Sequence, residues 1–151
     1  MRPNGSAGGF TGLLVAASVL LIDQVTKVIA VHGGTGHAWR NPDYAFGIMG
    51  GSAAMLILGA LGALGAFIVV AHVLFTRLGV SVLLPALVAG GAIGNTLDRI
   101  RLGSVRDFLI VPGAIINVAD VAVAAGIIGL SITLVMRFGQ MRTQLVAARV
   151  R

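Results

Sequence analysis

All five acidic residues of this chain are aspartates, and three of them, Asp98, Asp107 and Asp120, fall in one stretch, Val88 to Asp120 (VAGGAIGNTLDRIRLGSVRDFLIVPGAIINVAD). Asp98 and Asp120 lie in or at the ends of apolar segments, where an ionisable side chain is costly and therefore a candidate for function. Asp107 and Asp120 form the better pair for chemistry. Asp120 is set in an apolar run (INVADVAVAAG) with no basic residue within a helical turn, so burial there penalises its charged form. Two carboxylates held close together cannot both ionise easily and share one proton. The ionised partner can take a proton from water while the protonated one polarises a carbonyl, a general acid–base hydrolysis with no covalent intermediate. A polar contact that merely joins two helices is the competing reading of the same pair. Asp98, followed by Arg99 and close to Arg101, reads first as an ion pair closing a helix end.

Amides accompany these carboxylates. Asn95 precedes Asp98 by three residues and Asn117 precedes Asp120 by three, spacings that put each pair on one helix face. An asparagine donates two hydrogens and can fix a carboxylate or a substrate carbonyl. Upstream, Asp23 and Lys27 are four apart and can pair on a helix, either as a snorkelling pair near a helix end or as support for the site.

The elements that hold these residues follow from composition. Of 151 residues, 57% are hydrophobic and 11% charged, against roughly 25% charged in a soluble domain, and mean hydropathy is +0.99. The apolar runs are continuous rather than alternating, which favours membrane helices over a barrel. The spacing predicts an all-α integral membrane protein, one domain over residues 1–151. Its four transmembrane helices span about 10–31, 51–75, 79–97 and 114–136, and a basic tail covers 137–151. Met1–Gly9 reads as a short disordered start. Phe10–Val31 is long enough to span, given the roughly 20 residues a crossing needs, and no small-residue cleavage site follows its apolar core. On the second helix, Gly59, Gly62 and Gly65 make a small-residue face for close packing, and Gly90 and Gly94 do the same on the third, where Pro85 can introduce a kink. His72 reads as structural or interfacial. Trp39, Tyr44 and Phe46 of the loop His32–Gly50 suit the membrane interface, and Pro42 biases Asn41 towards an extended conformation.

Alternating topology then places Asp23, Lys27, Asn41, Asn95, Asp98, Asp107, Asn117 and Asp120 at one membrane boundary, with two loops on that face forming the site. Basic residues give a narrow orientation vote. Arg2, Arg77, Arg137, Arg142, Arg149 and Arg151 lie on the side of the termini, against Lys27, Arg40, Arg99, Arg101 and Arg106 on the other. This favours cytoplasmic termini, with the tail near anionic lipid. The formal charge of +6 is dispersed and aromatics are 5%, so nucleic-acid binding is not expected. With no cysteine and only scattered histidines (His32, His37, His72), neither a disulfide, a thiol nucleophile nor a metal site is expected.

At these residues the chain resembles the signal peptidase II family of lipoprotein signal peptidases. Val88–Ile100 matches that family's glycine-rich box ending G-N-x-x-D-R. Gly103–Phe108 (GSVRDF) resembles its G-x-V-x-D-F element, Asn117–Asp120 (NVAD) its N-x-A-D element, and Asp23–Lys27 (DQVTK) its D-Q-x-[ST]-K element. The resemblance covers Phe10–Met136. It implies an aspartic endopeptidase that needs no metal or organic cofactor and cuts diacylglyceryl-modified prolipoproteins just before the lipid-modified cysteine. It further implies a site near the outer face of the bacterial cytoplasmic membrane, open to lipid. A monomer is the expected state. Asp107 and Asp120 would be the catalytic pair. Asn41, Asn95, Arg99 and Asn117 would position substrate, and Asp23, Lys27 and Asp98 would support them.

The first-loop element departs from the family's N-x-G-A-A-F-[SG], reading Asn41-Pro-Asp-Tyr-Ala-Phe46-Gly, with Asp43 and Tyr44 in place of small residues. A divergent relative with another substrate is therefore an alternative. A proton-coupled transporter would need polar residues through the bilayer midplane, whereas the middles of all four segments are apolar. An assembly subunit would make the aspartates matter for stability alone. A serine peptidase is disfavoured, because no histidine accompanies Ser104 in any of these elements.

Overall fold

The computed structural model describes residues 5–33, 38–42 and 53–149. In chain order the elements are α1 (Gly5–His32), β1 (Trp39–Asn41), α2 (Ala53–Leu78), α3 (Leu83–Leu102), β2 (Val105–Asp107), β3 (Leu109–Val111), β4 (Ala114–Ile116) and α4 (Val118–Arg149). All four expected helices are present, with shifted ends. Helix α1 includes Gly5–Gly9, expected to be disordered. Its start lies against protein: a Cβ on Gly8 would sit 3.6 Å from the Phe75 ring, and one on Gly12 3.6 Å from Val82. Tertiary packing therefore carries the helix back through a segment of low propensity.

Helix α3 begins at Leu83 rather than residue 79, and Pro85 falls in its first turn. The N–H that proline lacks has no intrahelical partner there, so Pro85 helps begin the helix and does not kink it. The same helix runs through Asp98 to Leu102, beyond its expected end. It stops at Gly103, whose φ of 69° no side-chain-bearing residue adopts readily and whose N–H donates to the Arg99 carbonyl at 3.0 Å. Helix α4 begins four residues later than expected, because Ala114–Ile116 is a strand. Pro112-Gly113 turns the chain, with Gly113 at φ 82°, and the β-branched Ile115 and Ile116 pair back onto Ile110 and Leu109. At its far end α4 continues through the basic segment as helix to Arg149.

Two antiparallel strand pairs thus decorate one end of the bundle. In the first, Trp39 lies opposite Asp107, Arg40 opposite Arg106 and Asn41 opposite Val105. The extended backbone expected at Asn41 is what this ladder uses. The expectations for Asp43, Tyr44 and Phe46 fall outside the described residues.

Helices α1 (over Gly8–His32), α2 (over Ile57–Arg77) and α4 are long and apolar enough to cross a membrane. Helix α3 is shorter, and Asn95, Asp98, Arg99 and Arg101 occupy its last turns. It packs against α1, α2 and α4, so protein surrounds its polar end. Glycines set those distances. A Cβ on Gly90 would lie 2.6 Å from the Ala16 carbonyl oxygen on α1, and one on Gly91 would collide with the Ala119 carbonyl on α4. Of the expected glycine face of α2, Gly62 and Gly65 meet no other described residue, since a Cβ on either would have nothing within 4 Å. Near the opposite end of the bundle, Arg137 Nη2 donates to the Gly79 carbonyl at 3.4 Å, putting the α2–α3 turn level with the lower half of α4.

Burial is inverted relative to a soluble protein. Among the described residues the buried set includes Asp23, Lys27, Thr96, Asp98, Arg99, Ser104, Asp107 and Asn117, while Leu13, Leu58, Val69 and Val135 on the helix faces are exposed. Apolar residues can face outward when the surroundings are hydrocarbon, and polar ones must then find partners inside.

Candidate active site

Asp107 ends β2 and is 3% exposed. Asp120 is the third residue of α4 and half-buried. The two line one cavity of about 260 Å³. Its polar end is formed with Asn41, Asn95 and Arg99, and its apolar wall with Val105, Ile115, Ile116, Val123, Ala124 and Ile127.

Asn117 precedes the first residue of α4 and ties the helix start to both carboxylates. Its Oδ1 accepts from the Asp120 backbone N–H at 3.0 Å, and Asp120 Oδ2 accepts from the Asn117 backbone N–H at 3.1 Å. This is a reciprocal cap of the kind usually built from Ser or Thr with Glu. With its oxygen committed to the helix, Asn117 turns Nδ2 onto Asp107 Oδ1 at 2.6 Å. Asp107 Oδ2 accepts from Asn41 Nδ2 at 3.1 Å, a contact delivered by the β1–β2 ladder. Asp120 Oδ1 accepts from Asn95 Nδ2 on α3 at 2.8 Å. Each carboxylate therefore accepts hydrogen bonds on both oxygens, all from neutral N–H donors. Among the described residues neither forms an ion pair.

The remaining aspartates are treated differently. Asp98 is fully buried and takes Arg106 as a bidentate partner, with Nη2 on Oδ1 at 2.7 Å and Nε on Oδ2 at 3.2 Å. The expected ion pair at the end of α3 exists, but its cation is Arg106, not the sequence neighbours Arg99 and Arg101. Lys27 Nζ lies 2.8 Å from Asp23 and 3.3 Å from Asp98. Asp23 Oδ1 accepts from the Ala119 backbone N–H at 2.9 Å, capping α4 from α1, and its other oxygen occupies the space that Gly94 leaves free. Gln24 completes this layer. Its Nε2 donates to Asp23 and Asp98, both at 3.1 Å, and its Oε1 accepts from Arg106 at 3.0 Å.

Sequence reasoning gave no role to Gln24, Arg106 or the apolar lining residues. A neutral polar side chain next to Asp23 in an apolar helix was the available signal for Gln24. Ser104 is buried, and among the described residues its hydroxyl has no hydrogen-bond partner. No group of three or more His, Cys, Asp or Glu side chains comes together among the described residues. A second recess of about 310 Å³ opens between α2, α3 and α4, lined by Ala60, Ala63, Leu64, Phe67, Val88, Ala92 and Thr96. It shares Asn95, Arg99, Asp120 and Val123 with the first.

A bundle of long apolar helices whose buried end holds two amide-bound carboxylates over an apolar recess is an arrangement suited to acid–base chemistry at a membrane. The family model for signal peptidase (SPase) II matches residues 15–136. The chain is 30% identical to a lipoprotein signal peptidase of Syntrophus aciditrophicus, over 83% of this chain and 92% of that protein. It is 33% identical to one of Moorella thermoacetica, over 85% and 95%. A solved bacterial membrane enzyme, 26% identical, superposes with a TM-score of 0.72 over 86% of this chain and 90% of that one. The chain belongs to the signal peptidase II family and is a multi-pass bacterial membrane peptidase.

Proposed function

We propose that this peptidase is an aspartic endopeptidase with Asp107 and Asp120 as its catalytic pair. In this reading it removes the signal peptide from diacylglyceryl-modified prolipoproteins by cutting just before the lipid-modified cysteine. The observation that carries the proposal is that both carboxylates line one cavity and, among the described residues, accept hydrogen bonds from asparagine amides and a backbone N–H. Fixed amides orient the oxygens without neutralising them, so the pair stays free to share and pass a proton. One aspartate draws a proton from the attacking water and the other donates to the scissile carbonyl oxygen. The apolar wall along Ile115, Ile116, Val123 and Ile127 suits the lipid-bearing side of such a substrate, and Asn41, Asn95, Asn117 and Arg99 would orient the peptide. Asp23, Lys27 and Asp98 support that floor. Substrate enters from lipid, both termini are cytoplasmic and the site lies towards the outer face. In this reading the protein acts as a monomer.

The test is cleavage of a diacylglyceryl-modified prolipoprotein by purified protein in detergent, beside Asp107→Asn and Asp120→Asn. The expected result is cleavage before the modified cysteine, lost in both variants while each remains folded. Undiminished cutting by either variant overturns the aspartic assignment. A folded wild type that cuts an unmodified peptide instead overturns the substrate assignment.

A further inference from the structure

We infer that Lys27 is a positioning residue for Asp120, acting through the side-chain amide of Asn95. The inference rests on the assignment of Asp107 and Asp120 as the catalytic pair. An asparagine amide is nearly symmetric in shape, and either its oxygen or its nitrogen can face a given neighbour. Only the nitrogen can donate to a carboxylate. At Asn117 the helix cap settles the matter, because the Asp120 N–H occupies Oδ1 and leaves Nδ2 for Asp107. At Asn95 the corresponding donor is an ammonium. Lys27 Nζ donates to Asn95 Oδ1 at 2.8 Å, and Asn95 Nδ2 donates to Asp120 Oδ1 at 2.8 Å.

The three hydrogens of the Lys27 ammonium match its three acceptors, Asp23, Asp98 and Asn95. Its side chain is fully buried. Two carboxylates suffice to neutralise a buried lysine, so the third contact, to a neutral amide, is not required for charge balance. Its effect is directional. With a full positive charge on Oδ1, a flipped amide would place –NH2 against –NH3⁺ and its oxygen against the Asp120 carboxylate, two repulsive contacts in place of two hydrogen bonds. Lys27 thereby fixes one Asp120 oxygen as a hydrogen-bond acceptor, while the Asn117 backbone N–H holds the other. No atom of Lys27 lines either recess that Asp120 borders.

The experiment measures kcat and KM on the diacylglyceryl-modified substrate for Lys27→Met, Asn95→Leu and the double variant, each corrected for folded fraction. If Lys27 acts through Asn95, Lys27→Met lowers kcat by about 10- to 100-fold with KM within about 3-fold. In the Asn95→Leu background the same change then has less than about a 2-fold further effect. Equal losses in both backgrounds overturn the inference, and so does full kcat in folded Lys27→Met. Should Lys27→Met fail to fold, Asp23→Asn with Lys27→Met removes one charge of each sign, and Asn at 23 still accepts from the Ala119 N–H. That pair is then compared with Asp23→Asn alone, with the same expectation. Asp107→Asn and Asp120→Asn run alongside separate the two failures. Activity surviving in them sinks the catalytic pair itself, whereas their inactivity with an unaffected Lys27→Met sinks only the role of Lys27.

Discussion

The four aspartates among the described residues crowd one end of this bundle, and they divide into two pairs. Asp23 and Asp98 are fully buried, Asp107 is 3% exposed and Asp120 is half-buried, so depth alone does not divide them. Partner type does. Asp23 and Asp98 meet Lys27 and Arg106, two anions against two cations, with Gln24 bridging the set. Among the described residues, Asp107 and Asp120 accept from asparagine amides and a backbone N–H. A carboxylate locked to a cation is a poor proton carrier, because protonation would leave that cation buried and unpaired. One held by neutral donors loses far less when it takes up a proton. The first pair therefore anchors three helices, and the second is left available for acid–base work.

The sharpest way to break this contrast is to neutralise each pair in turn. Asp107→Asn or Asp120→Asn should cut turnover by at least about 10³-fold and leave thermal unfolding in detergent little changed. Asp98→Ala should show the opposite balance. It strands Lys27 and Arg106 in a buried site, and removing one partner of a buried ion pair costs about 3–5 kcal/mol, readable by denaturant titration in mixed micelles. A stability loss below about 1 kcal/mol would mean that the Asp98 cluster is not the anchor described. The floor beneath the pairs can be tested at Gly91, where a Cβ meets the Ala119 carbonyl. Gly91→Ala should destabilise by about 1–3 kcal/mol as α3 and α4 are pushed apart. Smallest of all is Gly62→Ala on α2, which faces open space. It should be neutral or gain up to about 1 kcal/mol from helix propensity, and a clear loss would show that this face is packed after all.

Much of the site was legible because its chemistry is written in local pairs. Asn95 and Asp98, Asn117 and Asp120, Asp23 and Lys27 are each three or four residues apart, and helical periodicity brings their elements to one level. Gly90 and Gly94 likewise announced a tightly packed helix. What stayed hidden was set by partners remote in sequence. Arg106 pairs with Asp98 because Gly103 reverses the chain, and nothing in the order of Arg99, Arg101 and Arg106 favours the third. Strands of three residues such as Ala114–Ile116 are too short to show a period, and this apolar one merges with the helix that follows. The Gly59-Gly62-Gly65 spacing advertised a packed face on α2, yet Gly62 and Gly65 meet no other described residue, since spacing reports where close approach is allowed and not whether a partner is there.

One contact has a bearing on biosynthesis. The first helix supplies a cap to the last: Asp23 accepts the Ala119 N–H across 96 residues. In a chain that emerges from the ribosome in order, α1 is made early and Asp120 arrives late. Until α4 joins the bundle, Asp23 lacks its acceptor role, Asn117 has no helix to cap, and Asp107 is without the amide that Asn117 gives it. If Asp107 and Asp120 are the cutting pair, a nascent chain is unarmed until α4 docks.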